Sequence, residues 1–329
     1  MCCESGACFS EAFEYVRTEG RTMRTKYLKG AARLAGLASV LPLAGCELDT
    51  LQPSGPVGDQ IKHLIVVSTI AMLIVVVPTI ILVCYFAWKY RASNTEAEYL
   101  PKWSHSNKIE VAIWGIPTVI IAFLAVITYQ TCHSLDPYRP LDEEAQTKPL
   151  NVEVVALDWK WLFIYPDEGI ATVNQLAIPV NQPVHFVITS DSVMNSFFIP
   201  RLGSMIYAMA GMQTQLHLMA SEPGDYLGES SNYSGRGFSD MRFRTLAMPQ
   251  DQYNAWVEKV RSSSDQLDGQ TYARLAAPSE AEPVKYFSHV EGNLFDTIVA
   301  KYNNGMVMDK STGKMIHVQS AMSDMNMKE

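Results

Sequence analysis

Two uncharged apolar runs constrain this 329-residue chain more than any other feature. Leu64 to Trp88 spans 25 residues broken only by uncharged ones such as Ser68, Thr69, Pro78 and Thr79, and Val111 to Tyr129 repeats the pattern. An uncharged apolar segment of about 18 residues or more can cross a ~30 Å hydrocarbon layer as a helix, the form that satisfies its own backbone polar groups there. Two transmembrane helices are therefore predicted, at about 62–88 and about 109–131, each kinked at its internal proline, Pro78 or Pro117. The connection between them holds Lys89, Arg91, Lys102 and Lys108, whereas few basic residues flank the far ends. That bias places the connection in the cytoplasm and both chain ends outside, and Tyr85, Trp88, Tyr90, Trp103, Trp114 and Tyr129 fall near span ends as interface-seeking aromatics do.

The segment preceding the spans reads as an export signal. From Met23 it carries Arg24, Lys26, Lys29 and Arg33, then an apolar stretch through Leu43, then Ala44 and Gly45 before Cys46. Leu43-Ala44-Gly45-Cys46 looks like a bacterial lipoprotein cleavage box, which would make Cys46 the acylated first residue of the processed chain; the alternative is a free cysteine in an uncleaved anchor. Acylation occurs on the outer face, in agreement with the charge bias. Residues 1–22 carry no such pattern, so Met23 is the expected start and Cys2, Cys3 and Cys8 are assigned no role. Only Cys84 and Cys132 remain, within and just after the apolar runs, so the exported part has no disulfide framework.

Beyond a polar linker, Asp136 to Pro149, the chain changes period. Leu150–Ala156, Trp159–Tyr165, Asn174–Ile178, Val184–Thr189, Gln213–Met219 and Asp240–Leu246 are short segments rich in β-branched and aromatic residues, punctuated by Pro and Gly. They predict an antiparallel sandwich or Greek-key barrel. Pro249 opens a helical pattern through Arg261. Lys285 to Tyr302 sets Phe287, Val290, Leu294 and Ile298 near helical spacing, which reads as an arm that packs on a partner. The tail after Asn303 is polar and expected to be disordered. Its Met306, Met308, Met315, Met322, Met325, Met327 and His317 have the softness to trap Cu(I), but disorder is the favoured reading.

Charge and motif content exclude several classes. The first 45 residues hold six basic and four acidic groups, leaving 20 basic and 30 acidic residues in the remainder, a balance that disfavours nucleic acid as a partner. His63, His105, His133, His185, His217, His289 and His317 show no metal spacing, and no phosphate-binding glycine loop or nucleophile motif is evident.

Three segments carry a resemblance. Trp103-Ser-His-Ser-Asn-Lys-Ile-Glu-Val-Ala-Ile-Trp114-Gly-Ile-Pro117 resembles the entry into the second span of subunit II of the haem-copper terminal oxidases, and Asp158-Trp-Lys-Trp161 resembles that family's aromatic motif. Ser190-Asp-Ser-Val-Met-Asn-Ser-Phe-Phe-Ile-Pro200 resembles its strand bearing the first copper-binding histidine. The likeness runs from Met23 to about Tyr302. It implies a two-helix transmembrane hairpin (46–135), a cupredoxin-like Greek-key domain in the periplasm (136–248), a C-terminal helical arm (249–302) and a tail (303–329), in the bacterial inner membrane.

Family members that accept electrons from cytochrome c hold a dinuclear copper with that histidine and a loop bearing Cys, Glu, Cys, His and Met. In this chain Asn195 replaces the strand histidine, Ser230 and Ser234 the cysteines, Asn232 the glutamate and Phe238 the loop histidine; Met241 alone matches. Paired copper needs soft thiolates and imidazoles, so the resemblance narrows to the branch that oxidises membrane quinol directly, similar to cytochrome o ubiquinol oxidase. It implies no cofactor in this chain, two haems and one copper in subunit I, ubiquinol as reductant, subunits I and III and a fourth as partners, and no cytochrome c. Trp159 and Trp161 are then structural rather than electron carriers. Glu110, at the start of the second span, has an ordinary explanation in the helix N-terminus; the resemblance implies instead that it lines the mouth of a proton channel into subunit I. Two other readings stay open: a copper-binding electron-entry subunit of cytochrome c oxidase, and a membrane-anchored copper-handling or assembly lipoprotein.

Overall fold

The structure, a computed structural model, describes residues 48–98, 102–141, 148–308 and 315–317. Cys46, Met23 and the signal segment lie outside the described residues. After a short 3-10 turn (Asp49–Leu51), the described residues form two long helices, α1 (Pro56–Lys89) and α2 (Asn107–Ser134). Both run continuously through their prolines, and the following threonine back-bonds in each: Thr79 Oγ1 donates to the Val75 carbonyl and Thr118 Oγ1 to the Trp114 carbonyl, both at 2.7 Å. Of the most apolar stretch of each helix, 6% and 0% is buried within the chain, so their surface is left for lipid or for other polypeptides.

The 34 residues of α1 extend ~51 Å at 1.5 Å per residue, well beyond a ~30 Å hydrocarbon layer. The excess belongs to the outer end, which docks on the β domain. Ser54 N–H donates to the Arg201 carbonyl at 2.7 Å and Gly58 N–H to the Leu202 carbonyl at 3.1 Å, with Ser54, Val57 and Gly58 buried. Gly55 is required there, because a Cβ would sit 2.2 Å from the Met219 carbonyl oxygen. Just past α2, the Pro137 carbonyl accepts from both the backbone N–H and Nδ1 of His217. The outer ends of both helices are thus tied to the same domain.

That domain is a sandwich of two sheets. Strands β1 (Leu150–Leu157), β2 (Lys160–Tyr165), β3 (Ile170–Val173), β5 (Val184–Ser190), β8 (Thr214–Leu218) and β12 (Lys285–Phe287) form one, in the order β12-β3-β2-β1-β5-β8. The other has the order β4-β10-β9-β6-β7, from β4 (Gln175–Pro179), β6 (Asn195–Phe198), β7 (Ile206–Ala208), β9 (Gly224–Ser230) and β10 (Arg242–Met248). The sandwich is not wholly antiparallel as expected: β1 pairs with β5, and β4 with β10, in parallel, because the chain changes sheet between those strands. The two sheets close on an aromatic core in which Trp161, Phe163, Phe186, Phe197 and Phe243 are fully buried or nearly so. The rings of Phe197 and Phe243 stack at 5.2 Å, with Trp161 edge-on to both. This is the cupredoxin-like fold the resemblance implies.

The C-terminal segment corrects two expectations. After α3 (Gln250–Arg261), β11 (Gln266–Leu267) and α4 (Gly269–Leu275), the stretch Lys285 to Tyr302 is not one helix. Phe287 lies on β12, Val290 on β13 (His289–Val290), and only Leu294 and Ile298 on a helix, α5 (Leu294–Ala300). Nor does the arm wait for a partner. Leu267, Leu275, Phe287, Leu294, Phe295 and Ile298 form a second core with Val155, Leu157, Leu162, Ile164 and Val173. The reason lies in β2, whose six residues are all buried: its sheet has two apolar faces, and the arm covers the outer one. Of the tail after Asn303, the described residues include β14 (Met306–Met308), which pairs antiparallel with β15 (Met315–His317); residues 309–314 and 318–329, on which the rest of the expected disorder falls, lie outside the described residues.

Candidate functional site

Two places collect the residues that the sequence singles out. The first is the loop after β9, held against β6 and the turn between β1 and β2. Trp159, at φ 62, donates Nε1–H to the Ser234 carbonyl at 3.0 Å. Its ring covers Gly237, where a Cβ would come within 2.6 Å of it, and Gly235 takes φ 108. The aromatic motif thus clamps the loop, while Trp161 points into the core.

Of the six positions, Asn195, Ser230 and Asn232 form one hydrogen-bonded group and Ser234 meets Met241 in another, while Phe238 packs on Tyr233. Ser230 Oγ lies 3.3 Å from both Asn195 Oδ1 and the Asn232 carbonyl. Asn195 Nδ2 donates to the Val193 carbonyl at 3.0 Å, and Asn232 Nδ2 to the Met194 carbonyl at 2.8 Å. Ser234 Oγ approaches Met241 Sδ at 3.9 Å, and Phe238 packs edge-on against Tyr233 at 5.5 Å. Asn195, Ser230 and Met241 are buried. A dinuclear copper does not fit this set, since hydroxyls and amides are hard donors that have already found partners and one thioether is a weak ligand alone. Among the described residues no three His, Cys, Asp or Glu side chains gather as a metal site. Sequence reading missed the neighbouring pair Ser196 and Ser231, whose hydroxyls meet at 2.7 Å and stitch β6 to the loop; nothing in residue spacing marks it.

A second cluster that sequence reading missed holds the arm beside this loop. Asp191, its side chain 1% exposed, receives Tyr272 Oη at 2.6 Å, Lys301 Nζ at 2.7 Å and Tyr302 Oη at 2.8 Å. Hydrogen bonding to Asp191 raises the Lys301 pKa, and burial with the same carboxylate raises both tyrosines. Lys160, of the aromatic motif, is likewise buried and spends two N–H donors on the carbonyls of Leu275 and Ala277, at 2.9 and 2.7 Å. Burial lowers its pKa.

The second place is the start of α2, at the end of the helix pair away from the β domain. Glu110 lies in the first turn, its side chain half exposed, with Oε1 2.6 Å from His105 Nδ1. His105 Nε2 in turn meets Asn107 Oδ1. The carboxyl group and the imidazole thus form a contacting pair that faces solvent at the start of α2. His105 was read from sequence as one histidine among seven; the chain before the helix folds back to set it on Glu110.

Comparison with known proteins gives a consistent picture. Residues 167–246 match the family model described as cytochrome c oxidase subunit II, periplasmic domain, and residues 261–306 the COX aromatic rich motif. The ubiquinol oxidase subunit 2 of Acetobacter aceti is 77% identical over 308 residues, covering 93% of this chain and all of that protein. The cytochrome bo(3) ubiquinol oxidase subunit 2 of Pseudomonas aeruginosa is 54% identical, covering 83% and 82% of the two chains. The quinol oxidase subunit 2 of Bacillus anthracis is 36% identical, covering 77% and 89%.

Proposed function

This chain belongs to the ubiquinol oxidase subunit 2 family, and we propose that it serves its oxidase without a redox centre of its own, as an anchor, an assembly surface and a point of proton entry. It is a membrane-anchored chain with a periplasmic domain and a subunit of an oxidoreductase complex, and the reading as a cytochrome c oxidase electron-entry subunit gives way to the quinol oxidase one. The observation that carries the proposal is the hydrogen-bonded set Asn195, Ser230 and Asn232 at the loop after β9, with Ser234 against Met241. With that set committed to hydroxyls and amides, electrons from quinol would pass to the haems and copper of subunit I without touching this subunit.

The finer parts of the reading follow from position. The lipid-facing surfaces of α1 and α2 would dock on subunit I, with subunits III and IV completing the complex in the inner membrane and acyl chains on Cys46 adding a second hold. Glu110 and His105 would collect a cytoplasmic proton at Oε1 and Nδ1 and release it inward, as an ionisable pair at a span entrance is suited to do. A copper-handling lipoprotein would have no use for so long an exposed helical pair. The test is spectroscopic. The oxidised, purified complex should show no purple absorbance or paramagnetic signal of a mixed-valence dinuclear copper; such a signal in proportion to this chain would overturn the proposal.

A further inference from the structure

Three donors near the C-terminus take no part in the chemistry above, and the fold brings them together. In the pairing of β14 with β15, Met306 stands opposite His317 and Met308 opposite Met315. Directly opposed residues of an antiparallel pair share one face, with Cβ atoms about 4.5–5.5 Å apart, and so do residues two apart on one strand. Met306, Met315 and His317 therefore rise from a single face of the hairpin.

The hairpin is fixed to the domain where it leaves α5. Gly305 N–H donates to the Ala300 carbonyl and Met306 N–H to the Asn303 carbonyl, each at 3.0 Å, through a turn in which Asn304 and Gly305 take φ 53 and 81. The His317 ring lies over that turn, since a Cβ on Gly305 would stand 3.5 Å from its Nδ1. Met315 is 48% exposed and His317 is also exposed, so an ion can reach the face from solvent.

Two thioethers and an imidazole are neutral, and the sulfurs are soft. That set suits Cu(I), whereas Zn(II), Mg(II) and Ca(II) favour thiolate, imidazole-rich or oxygen surroundings. We propose that the β14–β15 hairpin is a binding site for Cu(I) or a cation of its class such as Ag(I), with Met306, Met315 and His317 as ligands. It is separate from the copper frame after β9 and independent of the quinol oxidase reading. A single copper ion cannot give the signal of a mixed-valence pair, so its presence leaves the spectroscopic test above unaffected. The site binds the ion and performs no electron transfer.

The test is an anaerobic titration of the full chain in detergent with Cu(I) against a chromogenic Cu(I) chelator, beside the variant Met306→Leu/Met315→Leu/His317→Asn. The substituted positions are not core positions, so the fold is expected to survive, and near-ultraviolet circular dichroism checks that it does. The wild type should withhold one equivalent of Cu(I) more than the variant. Its affinity should exceed the variant's by more than the ~10–100-fold that losing even a ligand's supporting hydrogen bond costs a metal site. Equal retention by the two proteins, retention by neither, or an extra equivalent of Zn(II) in place of Cu(I) would overturn the proposal. Should the variant fail to fold, Met315→Leu alone replaces it, and unchanged Cu(I) affinity in that protein overturns it equally.

Discussion

Glu110→Gln keeps the size of the side chain and an acceptor oxygen for His105 while removing the acid, so it isolates the carboxyl group. If Glu110 is on the proton path into the enzyme, quinol-driven turnover should fall by about tenfold, equivalent to ~1.4 kcal/mol of barrier, with haem content unchanged. Wild-type turnover and proton pumping would reduce Glu110 to a helix-start carboxylate. Glu168 gives a second prediction at this scale. Burial first, and then the like charge of Asp167, raise its pKa above 4.5. The folded state thus binds the proton more tightly than the unfolded one, and the carboxylate becomes a burden as pH rises from about 4.5 through the raised value. Glu168→Gln removes that burden and can still accept from Tyr253 Oη, which lies 3.3 Å away. The variant should melt above the wild type at neutral pH, with the gap closing near pH 4 ~ the unperturbed carboxyl range; a gap independent of pH would refute the assignment.

Among the elements, the arm makes the strongest claim. Phe295 is 2% exposed in the core that α5 forms against β1, β2 and β3, so Phe295→Ala should cost ~3–5 kcal/mol and expose the arm to protease in solution. Retention of full stability in urea unfolding would mean the arm is held elsewhere. The same elements show where sequence is informative. α1 and α2 were legible because a long uncharged run has few ways to fold, and the loop after β9 stood out because ligand chemistry is tied to residue type, with no thiolate or imidazole at Asn195, Ser230, Asn232, Ser234 or Phe238. The arm was misread because Phe287, Val290, Leu294 and Ile298 imitate a helical stripe while sitting on two strands and a helix. β2 hid its second buried face for a related reason: Trp161 and Leu162 are both apolar and fully buried, so alternation could not say that one faces the sandwich and the other the arm. His105 beside Glu110 and the tyrosines on Asp191 were beyond reach, since chain reversals and contacts across about 80–110 residues leave no local pattern.

For the whole molecule, the two ends of the helix pair differ in what they hold. The outer ends of α1 and α2 are bound to the β domain through Gly58 and Pro137, and the other end holds Glu110 with its histidine. Between them lies apolar surface that the other described residues do not cover. Such a molecule is suited to join a larger membrane complex, and a loop after β9 without thiolate or imidazole leaves it unsuited to relay electrons from a soluble carrier. Oxygen uptake by the purified complex, driven in parallel by ubiquinol and by reduced cytochrome c, tests that claim most directly. The account predicts rapid uptake with ubiquinol and none above background with cytochrome c; sustained uptake with cytochrome c as sole donor would contradict it.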